Sequence, residues 1–189
     1  MTPLLNAGYT GKGQSIVIID SFGSPTIRND LKVFDAGYGI PDPPSFTILA
    51  PLGKIKFDPT NSDMVGWAFE TSLDVEWAHS LAPDANIVLM TSPVSETEGV
   101  QGLPEFQFLE QYALDHHLGS IISQSWGATE NTLFNPGGKQ VLNNFNAFYK
   151  EAAAQNVTVL ASAGDNGTDN VNINRQPYPF QSVIFPASS

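Results

Sequence analysis

The sequence contains no cysteine. That excludes disulfides, thiolate nucleophiles and zinc–thiolate sites, and it leaves the cellular compartment open. Basic residues are scarce: 8 Lys and Arg stand against 19 Asp and Glu, a formal charge of −11. The electropositive footprint of a nucleic-acid binder is therefore missing. So is the polybasic patch that holds proteins to anionic lipid. Charged residues of both signs reach only 14%, against roughly 25% in an average domain. Such a surface loses most of its charge in acid, which suits either an acid working environment or an ordinary acidic protein. No apolar run approaches the ~18 residues of a membrane span. The segment Met1–Asn6 (MTPLLN) has neither a basic stretch nor an apolar core, so no signal peptide is visible.

What is present is the composition of a folded domain. The 189 residues are 41% hydrophobic, enough for one domain with a core, or for a piece of a larger one. No internal repeat or low-complexity tract breaks the chain. Four short apolar runs read as strands covered on both faces: Ser15–Asp20 (SIVIID), Asn86–Thr91 (NIVLMT), Ser120–Ser125 (SIISQS) and Val157–Ser162 (VTVLAS). Helical patterns lie between them, at Ile27–Phe34, Asp63–Leu81, Pro104–Leu118 and Lys139–Gln155. In the second of these, Val65, Phe69, Leu73 and Trp77 recur every four residues, which predicts a core-facing stripe. The Pro-rich segment Pro41–Pro59 reads as an irregular insertion with one edge strand. The tail from Asn170 reads as loop, with a last strand-like run at Ser182–Phe185. Strand alternating with helix predicts a parallel α/β sheet, with any ligand site at the carboxyl ends of the strands.

Four features stand out, three of them at those strand ends. Glu70 and Asp74 are one turn apart on a helix, which sets two carboxylates about 5–6 Å apart at Cβ. Buried, such a pair shares a proton and one member titrates high; exposed, it is an acidic helix face with Asp63 and Glu76. The turn Ala161–Gly167 (ASAGDNG) presents Asp165 after a strand, as a reactive group or as a backbone cap. Ser125-Trp126-Gly127 follows another strand, where its backbone could pair with an extended peptide or its Trp could fill the core. Asp20 ends the first strand.

Together these features resemble the sedolisin family of serine-carboxyl peptidases, which have a subtilisin-like fold. The matching stretches are Asn6–Asp20 (NAGYTGKGQSIVIID), Glu70–Leu81 (ETSLDVEWAHSL), Ala82–Ile87 (APDANI), Ser123–Gly127 (SQSWG), Ala161–Gly167 (ASAGDNG) and Phe185–Ser188 (FPAS). The fold implied is α/β, a subtilisin-like parallel sheet flanked by helices and truncated at its C-terminal side. Residues 1–189 would be a partial catalytic domain. The resemblance implies that Glu70 is the general base, that Asp74 holds it in place, and that a protonated Asp165 donates to the oxyanion. A carboxyl group donates only when protonated, and a carboxylate base serves in acid where imidazole would already carry a proton. Ser125, Trp126 and Gly127 would pair with substrate, and Asp20 would support the site.

One departure matters. The family's nucleophile lies in a Gly-Thr-Ser-x-Ser-type motif, and no such motif occurs in these 189 residues; Ser188 and Ser189 match a segment upstream of it. A chain with base and oxyanion donor alone forms no acyl-enzyme, so the isolated chain is expected to be inactive, or to be a remnant or peptide-binding module of the same fold. The truncated sheet is expected to leave an apolar strand edge exposed. The resemblance further implies one calcium ion held by residues missing here, a propeptide partner, polypeptide substrates, secretion, and a monomer when complete; no metal ligand is assigned in this chain. A glycosidase using Glu70 and Asp74 fits poorly, because those carboxylates must face each other across a sugar. The remaining motifs read as structural: His116 and His117 as helix-end polar residues, His79 as surface, Asp165–Asp169 as a calcium loop without its terminal Glu, and the sequon at Asn156 as running into a strand.

Overall fold

The computed structural model describes residues 2–189. After a short helix α1 (Thr2–Asn6), the chain runs β1 (Ser15–Ser21), α2 (Ile27–Tyr38), β2 (Phe46–Leu49), α3 (Ser62–Leu81), β3 (Asn86–Ser92) and α4 (Leu103–Asp115). It continues through β4 (Ile121–Gln124), β5 (Ala128–Thr129), a 3₁₀ turn at Glu130–Leu133, α5 (Pro136–Ala154), β6 (Thr158–Ala161) and β7 (Ile184–Phe185). Five strands form one parallel sheet in the order β2-β3-β1-β4-β6, and β5 pairs antiparallel with β7. All four sequence-predicted strands and all four helices are present, and β2 is the edge strand expected within the Pro-rich insertion.

The cores of β1 and β3 are apolar because both sheet faces are covered there, whereas β6, expected to be covered on both faces, is largely exposed. Ile16, Ile18, Ile87 and Leu89 point to the side of α2 and α3. Val17, Ile19, Met90 and Ile122 point to the side of α4 and α5, where Leu103, Phe106, Leu109, Phe145 and Phe148 fill the larger core. Burying each such large side chain stabilises by about 1.5–3 kcal/mol relative to leaving it in water. Local signals fix the helix ends. The Asn61 side chain accepts from Asp63 N at 2.9 Å and Met64 N at 3.2 Å, capping α3. Asn135 does the same for α5 through Gly138 N at 2.9 Å. Gly39, at φ 67°, ends α2 in the left-handed conformation that costs glycine little.

The register places the site. Asp20 of β1 lies beside Thr91 of β3, and Ile19 beside Gln124 of β4. Asp20, Ser125 and the turn after β6 therefore converge at one end of the sheet. The other consequence of the topology is an open side: β6 has no partner beyond β4 among the described residues, and its Leu160 is 55% exposed. This is the apolar strand edge expected from the sequence.

Helix α3 departs from its predicted orientation. Its buried residues are Thr71, Val75 and His79, while Phe69 is 75%, Leu73 48% and Trp77 53% exposed; only Val65 of the predicted stripe is half-buried. The helix is apolar on more than one side, so a four-residue repeat cannot single out its inward face. Two residues out of phase, the Thr71–Val75–His79 row has the shapes and partners that fit between α2 and the sheet. His79, expected at the surface, is fully buried for that reason.

Candidate active site

An open cleft of about 480 Å³ lies at the carboxyl end of the sheet, lined by Glu70 and Trp67 of α3, Ser125–Gly127, the Ser162–Asn166 turn, Glu96, Glu98 and Ile184. The position follows from the topology, since helices cover the faces of the inner strands and leave their carboxyl ends accessible.

Glu70 reaches the cleft half-buried. Burial first, then the charges of Asp74 and Asp165, push its carboxyl above the ordinary carboxylate range, while the Ser125 hydroxyl pulls the other way. Asp74, one turn on, lies deeper; burial raises it as well, against the lowering influence of Ser125 and Asp20. Asp20 is fully buried beneath them, and neither of its oxygens meets a hydrogen-bond partner among the described residues. Burial and then the Asp74 charge push it well up, with Thr71 opposing. The three carboxyls thus form a stack running from core to cleft in which full ionisation is disfavoured.

Asp165 stands across the cleft on the turn after β6, exposed. Its turn is shaped by Gly164 at φ 80°, where an added Cβ would meet Ile184 at 2.8 Å. Ser125 and Gly127 are half-buried at the cleft, whereas the Trp126 indole is 2% exposed and stacks on Phe106 at 4.5 Å. Of that tripeptide, the Trp side chain belongs to the core and its backbone to the cleft. The structure therefore brings Glu70, Asp165 and Ser125–Gly127 together at one opening, with Asp74 and Asp20 behind Glu70.

Sequence reasoning missed two cleft carboxylates on the loop after β3. Glu98 accepts from Thr129 N at 2.8 Å and Thr129 Oγ1 at 3.0 Å, strapping that loop to β5. Glu96 is largely buried, with one oxygen unpartnered; burial first, then the Glu70, Asp63 and Glu98 charges, push it to about 7. Their place directly after the carboxyl end of a central strand was the available signal. His116 is exposed at the end of α4 and stacks on Tyr112 at 3.8 Å, as a helix-end residue would. Among the described residues no group of three or more His, Asp or Glu could hold a metal ion. No helix among them is long and apolar enough to cross a membrane.

No protein-family model matches the chain. Kumamolisin from Bacillus sp. (strain MN-32) is 30% identical over 184 residues, which cover 96% of this chain and 30% of kumamolisin. A solved structure of Pseudomonas sedolisin, a serine-carboxyl proteinase complexed with two molecules of pseudo-iodotyrostatin, aligns with a TM-score of 0.72 at 23% identity, over 95% of this chain and 47% of that one. The chain thus spans under a third of the one relative and about half of the other.

Proposed function

We propose, from the chain's kinship with the sedolisin family in sequence and fold, that residues 1–189 are the N-terminal part of an acid-active serine-type endopeptidase domain. The observation that carries this reading is the meeting of Glu70, backed by Asp74, with Asp165 and Ser125–Gly127 at one cleft. An acyl-transfer site needs a base, an oxyanion donor and a strand to align the peptide, and these residues supply all three. Glu70 takes the proton from a serine hydroxyl as that oxygen attacks the scissile carbonyl. Asp74 restrains the Glu70 carboxyl, and Asp20 supports Asp74 from the core. Asp165, when protonated, donates to the oxyanion of the tetrahedral intermediate. The Ser125–Gly127 backbone pairs with an extended polypeptide, which restricts substrates to unfolded or flexible segments.

The attacking serine belongs to polypeptide outside these 189 residues, as do any calcium ligands; secretion, a propeptide and a monomeric complete form belong to the same proposal. The experiment assays denatured casein at pH 3–6 with the 189-residue chain and with the product of the same frame read beyond Ser189. The expected result is no cleavage by the chain, and cleavage by the longer product that Glu70→Gln, Asp74→Asn or Asp165→Asn each reduces by at least a hundredfold. Glu70-dependent turnover by the chain alone overturns the assignment of the nucleophile. A stop codon after Ser189 favours the second reading, a peptide-binding module of the same fold.

A further inference from the structure

The two faces of the main sheet are not covered alike. In the parallel register Ile16, Ile121 and Thr158 form one row across the strands, and Ile18, Ser123 and Leu160 form the next. Side chains of both rows point to the same face. Over β1 that face is closed by Ile27 and Leu31 of α2 and Val75 of α3, which bury Ile16 and Ile18. Further along the rows the cover stops: Ile121 and Ser123 are half-buried, and Thr158 and Leu160 are exposed. On the opposite face Ile122 is buried in the α4 and α5 core, and Val159 packs against it. The bare strip is two strands wide, about 10 Å, which is the diameter of one helix.

Helix α3 walls this strip on one side. Trp77 and Leu81 follow Glu70 and Asp74 by seven residues, two turns, so the four share one flank of the helix. Asp74 is in reach of Ser125 and Asp20, so that flank looks over β1 and β4 and away from α2. Its upper end carries the cleft carboxyls, and lower down the Trp77 and Leu81 side chains are exposed. Bare sheet and apolar flank together make a trough that opens at its upper end into the cleft beside Glu70. The charge along it has one sign. No Lys or Arg occurs from residue 57 to residue 138, a stretch that holds both α3 and β4. A second copy of this chain in the trough would bring Glu70 and Asp74 toward further carboxylates, a like-charge contact that costs free energy.

We propose that this trough is the seat of one amphipathic helix contributed by polypeptide outside residues 1–189. The helix is apolar where it meets Trp77, Leu81 and Leu160, and basic along its flanks. The matched relatives have the length to supply it, since the chain spans 47% of the sedolisin chain and 30% of kumamolisin. A helix fits because what lies bare is the face of a sheet, and the faces of a parallel sheet are closed by helices. From Glu70 to Leu81 α3 rises about 17 Å, so the occupant needs about 12 residues to run the length of the trough. The seat is a matter of packing and charge, and it holds whatever chemistry the cleft performs.

The absence of cysteine makes the test direct, because any introduced thiol is the sole one. Trp77→Cys and Leu160→Cys report on the wall and the floor of the trough, and Val33→Cys on the exposed side of α2 is the reference; all three positions are exposed, so the variants keep the fold. Thiol labelling rates at pH 7 are measured on the 189-residue chain with and without a synthetic helical peptide of about 18 residues, Leu at i, i+3, i+4 and i+7 and Lys elsewhere. The peptide should slow labelling of the Trp77→Cys and Leu160→Cys thiols together by about tenfold or more and leave the Val33→Cys thiol unchanged. A shuffled peptide of the same composition, or one with Glu in place of Lys, should protect neither. Equal protection by the shuffled peptide, or protection of one wall without the other, overturns the proposal. So does unlabelled 189-residue chain that protects both thiols better than the peptide at equal concentration, which gives the trough to a second copy. In the product of the same frame read beyond Ser189, both thiols should react about a hundredfold more slowly than in the 189-residue chain; unchanged rates there overturn it as well.

Discussion

Glu96 gives the sharpest quantitative expectation. Its carboxyl is raised from 4.5 to about 7, mainly because the fold strips water from it, and secondarily because Glu70, Asp63 and Glu98 surround it. A tenfold change in proton affinity is worth about 1.4 kcal/mol, so this rise corresponds to roughly 3 kcal/mol. For a carboxyl raised by folding, the folded chain holds a proton that the unfolded chain has already lost. The stability is therefore fully present below about 4.5 and is lost as pH climbs through about 7. Glu96→Gln keeps the shape and removes the titration. The variant and the wild type should unfold within about 0.5 kcal/mol of each other at pH 4, and at pH 8 the variant should be more stable by roughly 3 kcal/mol. With a urea m-value of about 1–3 kcal/mol/M, the midpoint should move by at least about 1 M. Because burial outweighs the neighbouring charges, 0.5 M NaCl should leave most of the difference standing; screening weakens only the charge–charge part. Urea curves at pH 4, 5, 6, 7 and 8 give the full profile. A constant offset between the two proteins at every pH would refute the reasoning, and so would a difference abolished by salt.

Three further outcomes follow from the same structure. Glu110 is fully buried on α4 with neither oxygen partnered among the described residues, and burial holds it well above the carboxylate range; Glu110→Leu should stabilise the chain at pH 7 by about 1–3 kcal/mol in chemical denaturation, and a loss of stability there would show that an unseen partner satisfies it. Trp126→Ala removes a ring packed between Phe106 and Phe145 and should cost about 3–5 kcal/mol, measured the same way. Replacing the exposed Phe69 and Trp77 by Glu and Lys should change stability by less than about 1 kcal/mol while reducing self-association in sedimentation velocity; a strongly destabilised variant would mean that this stripe is packed in solution.

The middle of the main sheet was legible because β1 and β3 are apolar runs, as two-sided burial requires, whereas β6 carries a similar run and is largely exposed. Asp20, Ser125 and Asp165 could be placed at one end of the sheet because each directly follows such a run. The α3 pair was legible as a pair but not as to its surroundings. Phe69, Leu73 and Trp77 obey the same four-residue repeat as Thr71, Val75 and His79, and hydropathy favours the wrong row. What turned the helix was a specific polar contact, His79 with Asp35 and Pro41, between residues 44 and 38 positions apart. Spacing along the chain carries no trace of it. Glu96 and Glu98 were hidden differently: they sit in a loop with no periodicity, and only the closing of β5 onto Glu98 brings them to the cleft.

The strand order has a consequence for how the chain comes into being. β1 is the middle strand of the main sheet, yet it is among the first elements to leave the ribosome. Its partners are β3, which begins at Asn86, and β4, which begins at Ile121. At about 5–20 residues per second of translation, β1 waits roughly 3–13 s for its first neighbour and longer for its second. During that interval the sequence Ile16-Val17-Ile18-Ile19 is an unpaired, uncharged, β-branched segment, the kind that recruits other nascent chains. Yield of soluble protein should therefore respond to translation speed and to chaperone supply more than to any substitution in the finished cleft.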